Sequence, residues 1–107
     1  MEYVTDVSQL EAVSRDHSDN KHIVRRDDLK VGFISVRPHD GLPIHSHEHE
    51  DQFYYVLEGE GVVHLGEQDF PLKPGIAVMI PPGVSHGVRN PNDVPLRYLD
   101  VFVNWKK

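Results

Sequence analysis

The 107-residue chain carries 17 acidic against 11 basic side chains, a formal net charge of −6, with eight histidines and no cysteine. That length buries one modest core and leaves no room for a second catalytic module, and without cysteine neither disulfides nor thiolate ligands are available. The charge disfavours a nucleic-acid partner, the basic doublets Arg25-Arg26 and Lys106-Lys107 being too short for a phosphate-binding stripe, and the lack of an apolar N-terminal segment predicts a cytoplasmic protein with no membrane partner.

Residues 1–30 are polar with scattered charge. Ser8 followed three residues later by Glu11 predicts a capped turn of helix, and the alternation over Lys21 to Arg25 predicts an edge strand. From residue 31 to residue 107 the cadence changes. Apolar runs at Val31 to Val36, Phe53 to Leu57, Gly61 to Leu65, Ile76 to Ile80 and Leu96 to Val103 are separated by Gly, Pro, Asn and Asp, the pattern of an all-β sandwich or barrel.

Within that stretch, His45 and His47 stand two residues apart, so an extended strand projects both imidazoles to one side. A polar turn, Glu48 to Asp51, leads into Gln52 to Leu57, rich in aromatic and β-branched residues, where Gln52, Tyr54 and Val56 share one face. Further on, the apolar run ending at Ile80 meets Pro81-Pro82-Gly83, a stiff turn that fixes where His86 points on a third short strand. His45, His47, Gln52 and His86 are therefore the expected ligands of one divalent transition metal (Fe, Mn, Ni or Zn), with Gln52 alternatively bonding a metal-bound water through its amide. His47 and His49 repeat the same spacing, so His49 could shift the ligand pair by two residues. His17, His22, His39 and His64 read as solvated polar residues.

These motifs resemble those of the cupin superfamily. Gly75, Pro81, Gly83, His86 and Asn90 satisfy every position of the second cupin motif; His45, His47 and Gly59 fit the first, with Gln52 where glutamate is usual and Gly41 closer to His45 than the motif asks. The family resemblance in the interval to Gln52 and Gly59 implies the earlier histidine pair and leaves His49 on the loop lip. The resemblance covers roughly residues 31–103 and implies a jelly-roll barrel of two antiparallel sheets with the ligands inside one of them. Asn90 is expected to stabilise the turn after His86.

The last strand supplies the rest of the pocket. If Asp100 faces inward, Tyr98, Phe102 and Asn104 share its face; alternatively the strand packs the core with Asp100 at a rim. Asp100-Val101-Phe102 is similar to the Asp-x-Phe pair of small cupins that linearise unsaturated uronates, in which three histidines and a glutamine hold the metal; Lys106 is the only counterpart of that group's arginine. The resemblance implies Asp100, Tyr54 and Phe102 as pocket residues, Asp100 as base. Three imidazoles and an amide leave the metal its full dipositive charge, which favours small oxygenated anions; the resemblance to the uronate-linearising group implies sugar-acid isomerisation or ring opening. An oxygen-activating dioxygenase, a non-catalytic sensor or carrier, and a metal-free structural protein remain alternatives. Apolar residues on both faces of Gln52 to Leu57, and a second stripe of Leu99, Val101, Val103 and Trp105, predict a homodimer.

Overall fold

Antiparallel pairing dominates the computed structural model, which describes residues 3–104. Ten strands follow in chain order: β1 (Val13–Ser14), β2 (Ser18–Arg25), β3 (Leu29–Val36), β4 (Asp40–His45), β5 (Asp51–Glu58), β6 (Gly61–Leu65), β7 (Gln68–Leu72), β8 (Ala77–Ile80), β9 (His86–Asn90) and β10 (Leu96–Val103). They form a six-stranded sheet ordered β1-β2-β3-β10-β5-β8 and a four-stranded sheet ordered β4-β9-β6-β7. The two sheets pack without closing into a continuous hydrogen-bonded barrel, so the all-β jelly roll is of the open kind. No helix among the described residues is long and apolar enough to cross a membrane.

The alternation written into β5 decides how the sheets meet. Gln52, Tyr54 and Val56 are 3%, 2% and 1% exposed, whereas Phe53, Tyr55 and Leu57 are 38–40% exposed. The inward set joins Ile34, Val36, Val78, Ile80, Leu96 and Tyr98 from its own sheet and Val63, Leu72 and Val88 from the other to form the core. Each fully buried aliphatic side chain there contributes about 1.5–3 kcal/mol. The outward set forms an apolar face with the exposed Met79 and Val103 and the half-buried Leu99 and Val101; Trp105, expected to extend this stripe, lies outside the described residues.

Two motif residues have plain physical roles. Gly59 sits at φ 80°, and a Cβ there would come within 2.3 Å of the Pro95 carbonyl oxygen, so the chain admits nothing larger. Asn90, fully buried, donates from Nδ2 to the carbonyls of Val36 (3.1 Å), Arg37 (3.1 Å) and Val94 (2.9 Å), while its Oδ1 accepts from the Asn92 N–H at 3.1 Å. It ties the end of β9 to the end of β3 as well as to the following turn, a wider role than the local one expected.

The N-terminal expectations need correction. The helical turn is a 3-10 segment over Val7–Gln9 capped by Asp6, whose carboxylate accepts from the Ser8 N–H at 3.1 Å; Ser8 and Glu11 do not cap it. A carboxylate at that position satisfies a free N–H better placed than the Ser8 hydroxyl, which instead donates to Asp6. The expected strand over Lys21 to Arg25 begins at Ser18 and pairs along β3, with the two-residue β1 on its other side, so it is not the sheet's edge strand.

Candidate metal centre

Three imidazoles converge where the two sheets face each other. His45 ends β4 and His86 begins β9, directly opposite in register, and their ring centroids lie 4.4 Å apart. His47 stands beyond the end of β4, in a loop, so the shared-strand reason for pairing it with His45 does not hold. A backbone bond places it instead: the Gly83 N–H donates to the His47 carbonyl at 2.7 Å, possible because Gly83 turns the chain at φ 85° after the two prolines. His47 then lies 4.9 Å from His45 and 5.3 Å from His86, centroid to centroid. One ligand nitrogen from each of the three falls within 4.8 Å of the others.

Hydrogen bonds set which nitrogens are offered. His45 Nδ1 contacts the Pro43 carbonyl at 2.7 Å and His86 Nδ1 contacts the Val84 carbonyl at 2.9 Å; a carbonyl only accepts, so both Nδ1 atoms carry the proton and both Nε2 atoms present lone pairs. Nε2 of His47 and of His86 are buried with no partner. Burial holds both imidazoles below the usual histidine range, and the neighbouring His45 adds to the effect. Neutral imidazole is the ligand form.

The six-stranded sheet supplies the facing wall. Gln52 Nε2 donates to Asp100 Oδ1 at 2.8 Å, which orients the amide and leaves Gln52 Oε1 buried without a partner. The ligand candidates thus come from both sheets rather than from inside one. A cavity of about 750 Å³ opens over His45 and His47, walled by Gln52, Tyr54, Tyr98, Asp100 and Phe102; His86, fully buried, lies behind them. Phe102 meets His47 edge-on at 5.1 Å, and Tyr54 meets Tyr98 likewise at 4.5 Å. Burial pushes the Asp100 carboxyl up to about 6, with the Gln52 hydrogen bond pulling the other way. It also raises the Tyr54 hydroxyl, helped by the Asp100 charge, so the phenol keeps its proton.

Asp100, Tyr98 and Phe102 all face the cavity, as the inward reading of β10 expected, whereas Asn104 is not in its lining. His49 is exposed and falls outside the convergent cluster, and Lys106 lies beyond the described residues. The far lip is built by Ser14, Arg15, Asp16, His17, Ser18 and Asn20, none of which the sequence reading singled out for the pocket. The signal was the alternation Ser18, Asn20, His22 along β2. Of the four histidines expected to be solvated, His39 is exposed beside Asp93, His17 and His64 are half-buried against Asp40 and Asp69, and His22 has a buried, unpartnered Nε2.

A family model described as a cupin domain matches residues 32–102. The oxalate-binding protein of Thermotoga maritima is 36% identical over 70 residues, 65% of this chain and 58% of that protein. Mannose-1-phosphate guanylyltransferase 2 of Escherichia coli O157:H7 is 32% identical over 67% of this chain but only 15% of its own length. The chain thus matches less than two thirds of these curated relatives. The crystal structure of a predicted oxalate decarboxylase from Thermotoga maritima superposes with a TM-score of 0.87 at 25% identity, covering 94% of this chain and 98% of that one. KdgF from Halomonas, at 20% identity and a TM-score of 0.89, covers 100% and 97% and shows the shared fold. With both motifs placed and the fold matched end to end, the chain belongs to the cupin family.

Proposed function

We propose that this cupin holds one divalent transition-metal ion on Nε2 of His45, His47 and His86 and on Oε1 of Gln52, and acts there on a small oxygenated anion. The observation that carries the reading is where unsatisfied acceptors fall: of four buried side-chain polar atoms without a partner among the described residues, three belong to His47, His86 and Gln52. Buried polar atoms are ordinarily paired, and orphaned atoms on two of three converging imidazoles and on an amide lining the same cavity are what a cation relieves. Iron, manganese, nickel and zinc all suit such a set. The ion supplies Lewis acidity toward carboxylate and hydroxy-keto oxygens, undiminished because all four ligands are neutral.

The chain's own residues do the rest. Asp100, aimed into the cavity and steadied by Gln52, takes a proton from the carbon beside a carbonyl and returns it to a neighbouring atom, the balance of a sugar-acid isomerisation or ring opening. Tyr54 keeps its proton and donates, and Phe102 walls the cavity while bracing His47. The Asp100-x-Phe102 resemblance to uronate-linearising cupins supports this choice. A second reading, ligand binding without turnover, is favoured by the name of the oxalate-binding relative. The outward apolar face of β5, β8 and β10 supports the homodimer as part of the same proposal.

Elemental analysis of untagged protein tests the centre. Near-stoichiometric metal in wild type that is lost in His86→Ala and reduced in Gln52→Ala supports it; wild type that is metal-free and takes up none of the four added ions overturns it. On metal-loaded protein, conversion of an unsaturated uronate followed by NMR, abolished in Asp100→Asn with metal retained, separates catalysis from binding.

A further inference from the structure

Along β2 the inward side chains are Ser18, Asn20 and His22, and register carries that row across the sheet: His22 lies opposite Gly32 on β3, Gly32 opposite Asp100 on β10, and Asp100 opposite Tyr54 on β5. Residues in one cross-strand row point to one side, here the side of the buried Tyr54. Gly32 contributes no side chain, so a slot is left between His22 and Asp100. It measures about 160 Å³, with Asn20, His22, Gly32, Asp100 and Phe102 in its lining, room for about five waters. Asn20, Ile34, Asp100 and Phe102 also line the large cavity, which makes the slot a side chamber of it.

The chamber is built for a polar guest. His22 Nε2 is buried in it without a partner. Arg25 and Lys30 also line it, Arg15 stands on the lip of the main cavity, and none of the three cationic groups has an ion pair among the described residues. The charges of Arg25 and Arg15 reach His22, adding to the burial that holds its imidazole below the usual range. In a chain of net charge −6, the chamber's own lining sets two cations, Arg25 and Lys30, against the single carboxylate of Asp100, a locally positive balance.

We propose that this chamber is a second anion subsite, which takes the distal carboxylate of an extended acid whose near end lies at the histidine cluster. The assignment of the near end rests on the proposed function; the chamber itself does not. Neighbouring strands lie about 4.8 Å apart, so the backbones of His22 and Asp100, two strands apart, are separated by roughly 10 Å. Oxalate, whose carboxylates share one bond, cannot bridge a separation of that order. A six-carbon dicarboxylate extends further, and its far carboxylate would accept from His22 Nε2 and face Arg25 and Lys30. The chamber thereby selects chain length.

Calorimetric titration with glucarate and with oxalate tests this on wild type, His22→Ala and Gly32→Ala. A Cβ at Gly32 would meet the Lys21 carbonyl oxygen at 3.4 Å and Ile34 Cδ1 at 3.5 Å, ordinary contacts, so Gly32→Ala folds while its methyl occupies the slot. Each variant is expected to bind glucarate about tenfold more weakly, His22→Ala by losing one hydrogen bond to a charged group and Gly32→Ala by crowding the carboxylate out of the slot, with oxalate affinity and metal content unchanged. Unaltered glucarate affinity in both variants, or an equal loss for oxalate, overturns the subsite. The ¹⁵N shift of His22 Nε2 is read in parallel on chelator-treated protein. A shift on adding glucarate upholds the chamber even if the metal reading fails, and no shift with or without metal rejects the chamber while leaving the metal centre standing.

Discussion

Replacing Asp100 by asparagine should make the metal-free protein more stable at neutral pH. The carboxyl is moved by burial from 3.8 to about 6, roughly 2 units at 1.36 kcal/mol each, or about 3 kcal/mol. Because the folded value is raised, the native state binds more protons than the unfolded chain between about pH 4 and pH 6, and stability falls as pH rises through that window. Above it, the wild type carries the full cost of an ionised carboxylate in an apolar setting; below it, the group is neutral in both states and the cost vanishes. Asparagine keeps an oxygen to accept from Gln52 Nε2 but has no charge to bury. Allowing for a weaker hydrogen bond to a neutral acceptor, Asp100→Asn should gain about 1–3 kcal/mol at pH 7 and almost nothing at pH 4. Urea unfolding followed by circular dichroism, on chelator-treated protein at both pH values, reads this as a midpoint raised by about 1 M at pH 7 alone. An equal difference at both pH values, or a variant less stable than wild type at pH 7, would refute the reasoning.

Asn90→Ala strips the donor from three carbonyls at once, those of Val36, Arg37 and Val94, and should cost about 2–4 kcal/mol in the same urea assay; a loss below about 0.5 kcal/mol would mean that solvent reaches these groups. Tyr55, 40% exposed at the centre of the outward apolar face, is the position from which to break a homodimer. Sedimentation velocity should show wild type as a dimer and Tyr55→Lys as a monomer with an unchanged circular dichroism spectrum, and a monomeric wild type removes the dimer from the proposal.

What the sequence made legible was local. Alternation along Gln52 to Leu57 grouped Gln52, Tyr54 and Val56 on one face of β5, and Pro81-Pro82-Gly83 marked the turn that delivers His86. Period-two reasoning on β10 put Tyr98, Asp100 and Phe102 on one face but left open whether that face looks inward, which the cavity lining decides. What escaped depended on contacts between distant segments. His47 is positioned by the Gly83 N–H rather than by a strand of its own. The lip formed by residues 14–18 belongs to a stretch legible only as polar with scattered charge, because a cavity lining and a solvent face call for the same residue types. His22 could not be told from His17, His39 and His64 until its row across Gly32 to Asp100 was known. The strand Gln68–Leu72 was hidden by its mostly exposed side chains, a sheet-edge position that weakens the hydrophobic signal.

β10 lies in the interior of the six-stranded sheet, hydrogen-bonded to β3 on one side and β5 on the other, yet ribosomes make it after every other described strand. Until it emerges, β3 and β5 have no common neighbour, their facing edges stay open, and the larger sheet exists only as separate halves. Folding of this domain is therefore deferred until almost all of its strands have been synthesised, and nascent chains halted before residue 96 should depend on chaperones to keep those edges from pairing with other polypeptides. The same strand brings Asp100 and Phe102, so no partly made molecule carries a complete pocket.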